Sequence, residues 1–111
     1  MKNLLKGLVL VTVAALAIAP LLFAAGNAEA GKTLYGTKCA TCHAKDGAGN
    51  PGIAKALKVE LRHLGSKEVQ AKTDAELTKE ILEGTGKMKA VKLTPEEAAN
   101  VVAYVRTLKQ K

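Results

Sequence analysis

Tryptophan is absent from this chain, and after the apolar N-terminal stretch only Tyr35 and Tyr104 carry aromatic rings. Something other than aromatic side chains must therefore fill the middle of the fold. Cysteine is nearly absent too: Cys39 and Cys42 are the only two, too few for a disulfide framework. Methionine is limited to Met1 and Met88, and histidine to His43 and His63. No segment shows convincing strand alternation, and no segment repeats. That excludes the βαβ setting in which a redox-active C-x-x-C is expected. Lys and Arg outnumber Asp and Glu by 17 to 10, but they are spread along the chain rather than gathered. A nucleic-acid partner is not indicated.

Residues 1–30 have the layout of a cleavable secretory signal peptide. Lys2 and Lys6 supply the positive start, residues 7–25 are uncharged and almost wholly apolar, and Ala28-Glu29-Ala30 is a small-x-small cleavage pattern. Retention of residues 7–25 as a membrane anchor is the alternative, since a span needs about 20 apolar residues. Pro20 and the A-x-A pattern favour cleavage, and no cysteine lies nearby to take a lipid. The expected location is the bacterial periplasm. The remaining domain, residues 31–111, is small, and chains of that size need a staple. It keeps a formal charge of +6, because Lys2, Lys6 and Glu29 leave a chain of +7.

Cys39-Ala40-Thr41-Cys42-His43 reads C-x-x-C-H, the attachment sequence of c-type haem. Two thiols three positions apart on a helical turn can each add to a porphyrin vinyl group. The histidine that follows is then placed beneath the iron as proximal ligand. A covalently held disc would also be the missing staple and core. Met88 is the one thioether left for the opposite face, in the glycine-loosened run Gly84-Thr85-Gly86-Lys87-Met88-Lys89. His63 is its rival, although a surface or propionate-contacting role suits it better. Two other readings of the cysteines explain less. A zinc site would need Cys42 and His43 to bind one ion as sequence neighbours. A plain disulfide accounts for neither His43 nor Met88.

The pattern along the chain is helical. A helix is expected over 32–42, then a turn-rich loop over 44–52, then an ambiguous stretch over 53–72 with a break or cap at Gly65-Ser66. Thr73 and Glu76 form a capping box for a helix that Gly84 ends with a left-handed cap. Thr94-Pro95-Glu96-Glu97 opens the last helix, whose apolar positions are Val101, Val102, Tyr104, Val105 and Leu108.

The chain resembles the class I cytochromes c over essentially all of residues 31–111. The resemblance rests on G-K-T-L-Y-G-T-K-C-A-T-C-H at 31–43, D-G-A-G-N-P-G at 46–52, G-T-G-K-M at 84–88 and L-T-P-E-E-A-A-N-V-V-A-Y-V-R at 93–106. It implies an all-α fold of three to four helices around one covalent haem, behind a signal peptide. It also implies that Gly31 and Tyr35 pack on Val101 and Tyr104, and that the Pro51 carbonyl accepts a hydrogen bond from His43. Lys89 and Val91 stand where the family often has proline and an aromatic, which predicts a looser methionine loop.

The expected function is one-electron transfer by a soluble monomer, not enzymatic turnover. Larger redox proteins would dock briefly at the haem edge through Lys45, Lys55, Lys87, Lys89 and Lys92. The alternatives are a haem subunit of a membrane-bound complex, or a haem enzyme or gas-binding protein should Met88 not be a ligand.

Overall fold

The computed structural model describes residues 26–111, and the export segment read over residues 1–25 lies outside the described residues. Six helical segments follow: α1 (Ala28–Lys38), α2 (Ala40–His43), α3 (Pro51–Leu57), α4 (Lys67–Gln70), α5 (Asp74–Glu83) and α6 (Pro95–Thr107). Among the described residues the only β pairing is a single bridge between Thr85 and Met88. None of these helices is long and apolar enough to cross a membrane.

Periodicity explains the core. Ala98, Val101, Val102 and Val105 recur at helical spacing on α6 and are buried, as are Leu77 and Ile81, one turn apart on α5. Tyr35 of α1 completes the cluster. The first and last helices meet through glycine: a Cβ built at Gly31 would lie 1.8 Å from the Asn100 carbonyl oxygen. No side chain fits there, so only glycine lets the two backbones approach. Tyr35 and Tyr104 then face one another with ring centroids 5.1 Å apart and planes tilted by 58°, a favourable aromatic arrangement. The expected pairing of Gly31 and Tyr35 with Val101 and Tyr104 is thus formed.

Both capping boxes are present. Thr73 and Glu76 exchange bonds at the start of α5, and Thr94 and Glu97 do so at α6. Three expectations need correction. The helix expected over 32–42 begins at Ala28 and breaks at Cys39, whose φ of −120° ends α1 and opens α2. α1 thus runs through Ala30, and its N-cap is Asn27. Pro51 and Gly52 are not loop but the first residues of α3, capped by Asn50. Gly84 has a positive φ of 81°, but its ψ of 168° puts it in the extended region open to glycine rather than in the left-handed helical one. In the ambiguous stretch, Ser66 does cap α4, accepting from the Val69 N–H.

Candidate haem site

The break at Cys39 sets α2 off from α1 as one separate turn, and its backbone is tied down on every side. His43 N–H donates to Cys39 O, while Gly49 and Asn50 N–H groups donate to the His43 and Cys42 carbonyls, each at 2.8 Å. Ala44 closes the turn at φ +64°, strained for a residue with a Cβ. The Tyr35 hydroxyl donates to the Ala44 carbonyl at 2.5 Å and holds that conformation. One of the two crossing aromatics thus also fixes the end of C-x-x-C-H.

Cys39, Cys42 and His43 all line one cavity of about 750 Å³. Its walls are apolar, built from Ile53 of α3, Leu61, Leu77 and Ile81 of α5, and Val101 and Val105 of α6. Met88 lines the same cavity. Burial, and then Cys42 beside it, push the Cys39 thiol up to about 11, so it is protonated at neutral pH. Burial lowers the His43 pKa, which keeps the imidazole neutral, the form that binds a metal.

The methionine loop is firmer than expected. Thr85 and Met88 exchange both backbone hydrogen bonds, at 3.0 and 2.9 Å, around the turn residues Gly86 and Lys87. Gly84 lies so close that a Cβ would sit 2.6 Å from the Met88 carbonyl. The Lys87 ammonium donates to the Leu57 carbonyl at 2.6 Å, bridging the turn to the end of α3. These bonds tie the loop to itself and to the end of α3.

Whether these residues fit a haem can be judged from what they leave unsatisfied. Two free thiols and a buried imidazole face an apolar space, and His43 Nδ1 is buried with no hydrogen-bond partner. Residues 28–109 match the sequence profile of the family described as Cytochrome c. The chain belongs to the cytochrome c family. A solved structure titled "KustC0563 c-type cytochrome" shares 36% identity and superposes with a TM-score of 0.61, over 72% of this chain and 98% of its own. No curated protein matches the sequence. As a cytochrome c, the chain carries covalently bound haem c, and Cys39 and Cys42 are the thiols that fit its attachment.

The other expected site residues divide. His63 does not line the cavity; its Nδ1 accepts from the Gly65 N–H at 2.9 Å and stabilises a local turn. The bond expected from His43 to the Pro51 carbonyl is not formed, since Nδ1 has no partner and Pro51 opens α3 instead. Among the described residues no three His, Cys, Asp or Glu side chains are grouped to hold a metal ion, which leaves the zinc reading without a donor set. Of the five lysines expected around the haem edge, Lys87, Lys89 and Lys92 border the cavity, while Lys45 and Lys55 do not. Sequence reasoning missed Lys38, which also borders it. Its place one residue before Cys39 was the available signal.

Proposed function

We propose that this cytochrome c is a soluble, exported one-electron carrier in which His43 and Met88 are the two axial ligands. The observation that carries the reading is the meeting of His43 and Met88 on one apolar cavity that also holds both thiols. Bound haem supplies a ferric–ferrous couple that needs no substrate site. The residues of this chain do the rest. Tyr35 and the Gly49–Asn50 amides hold the His43 turn, and the Thr85–Met88 pair holds the thioether. With both side chains held, the protein would need to rearrange little on electron transfer. The mostly apolar walls and a thioether ligand would favour the reduced state relative to two imidazoles. Lys38, Lys87, Lys89 and Lys92 at the rim present positive charge to a larger acidic redox partner, suiting a brief encounter. Within the periplasm such a carrier works as a monomer.

The ferric protein is expected to show the near-infrared sulfur-to-iron charge-transfer band at neutral pH. Met88→Ala should abolish it, lower the reduction potential and let added imidazole bind. A spectrum unchanged by Met88→Ala would remove Met88 as ligand and return the open-site alternative, a haem enzyme or gas-binding protein.

A further inference from the structure

We infer that the exported chain is cut between Gly26 and Asn27, four residues ahead of the boundary suggested by Ala28-Glu29-Ala30. The inference rests on the export reading and places its processing site.

Asn27 is the N-cap of α1. Its side-chain oxygen accepts from the Glu29 and Ala30 N–H groups at 2.9 and 3.1 Å. Its own N–H donates to Asn100 Oδ1 of α6 at 2.8 Å, tying the start of the first helix to the last. A cut after Ala30 would discard all three bonds and the first turn of α1. It would also create an α-ammonium on Gly31, which is buried where the two backbones cross. A charge there is desolvated. A cut after Ala28, at the pattern Gly26-Asn27-Ala28, also discards the cap.

Ala24-Ala25-Gly26 is likewise small-x-small, and a cut after it keeps the cap and puts no charge on Gly31, giving up only Gly26, whose backbone abuts Ala99 and Asn100 of α6. Hydrolysis of the Gly26–Asn27 bond consumes one water and releases residues 1–26 with a new carboxylate. The new α-ammonium is on Asn27, which is exposed. Its nitrogen still donates to Asn100 Oδ1, now with charge assistance. The three bonds of the cap survive.

The test is to express the full chain in a bacterium that exports and attaches haem, and to read the N-terminus of the purified holoprotein by intact mass and terminal sequencing. A chain beginning at Asn27 is expected. Gly26→Leu should block or displace the cut, whereas Ala30→Leu should leave it in place; for these variants the N-terminus is read on the total exported chain after denaturation, so neither has to fold. A start at Gly31, or a cut blocked by Ala30→Leu, overturns the inference while leaving export intact. A membrane-bound holoprotein that keeps residues 1–26 overturns it together with the soluble-carrier reading.

Discussion

A single methyl group should have opposite effects at two glycines of α1. At Gly31 it would meet the Asn100 carbonyl at 1.8 Å, a backbone atom that cannot swing away. Gly31→Ala should therefore cost about 1–3 kcal/mol or more, as overpacking does. At Gly36 a Cβ meets nothing within 4 Å. Gly36→Ala in that helix interior should add about 0.5–1 kcal/mol by removing backbone freedom from the unfolded chain. Urea midpoints of the two holoproteins check this, and a neutral Gly31→Ala would disprove the close crossing. Tyr35 gives a pH signature. Burial raises its pKa well above the ordinary 10.0. The folded state thus keeps the phenolic proton where the unfolded chain releases it. This contribution is whole below about pH 10 and is lost as pH climbs from there. Tyr35→Phe should flatten that alkaline fall and cost about 1 kcal/mol at neutral pH for the lost Ala44 bond. An equal alkaline slope in both proteins would refute the assignment. Cys39, Cys42, His43 and Met88 were legible because spacing and scarcity single them out. The Tyr35 hydroxyl and the Lys87 bridge were not, since each reaches a carbonyl whose position depends on the rest of the chain.

Between elements, Arg106 is the principal polar tie. Its Nε and Nη2 donate to Asp74 Oδ1, Nη1 to the Gln70 carbonyl, and Nη2 also to the Lys72 carbonyl. Gln70 in turn donates to the Leu64 and Val105 carbonyls. One guanidinium thus fastens α6 to the segment linking α4 to α5. The value lies in the carbonyls more than in the ion pair, because the Asp74 side chain is 73% exposed and water screens it. Arg106→Lys cannot reproduce the planar fork and should cost about 1–3 kcal/mol, while Asp74→Asn should cost less than about 1 kcal/mol. Denaturant unfolding of both variants decides it; the reverse order would make the ion pair the dominant part. Helices α5 and α6 could be read in advance because capping boxes and apolar spacing are local signals. The break at Cys39 and the start of α3 at Pro51 could not, for opposite reasons. Helical spacing ran through Cys39 without interruption, whereas Asn50-Pro51-Gly52 looked like a turn although Asn-Pro also caps a helix.

At the scale of the whole molecule, core and cofactor site are one structure. Of the seven buried core residues, six line the cavity, Ala98 being the exception. Without the disc, the mostly apolar walls of this cavity of about 750 Å³ lose their partner, and each wall side chain left facing water forfeits up to about 1.5–3 kcal/mol. Several such losses together are comparable with the roughly 5–15 kcal/mol by which a typical domain is stable. An empty version of this fold is therefore not sustainable; without the disc, the walls must collapse or the helices part. The scarcity of aromatic side chains has the same cause, because the porphyrin takes their place. Replacing Cys39 and Cys42 together by serine, and removing any loosely held haem, should abolish cooperative unfolding and most of the far-ultraviolet helical signal. The residue pattern makes this sharper than a general loss of stability. α6 keeps its capping box, its proline start and a near-continuous α1 contact through Gly31 and Tyr35, so remaining helicity should be confined to the α1–α6 pair. Hydrogen exchange should then find residual protection in the Ala98–Val101 turn, where α6 crosses α1 at Gly31, and none in α5, whose buried Leu77 and Ile81 both line the cavity. Native-like protection throughout the haem-free variant would show that the protein core stands without its cofactor.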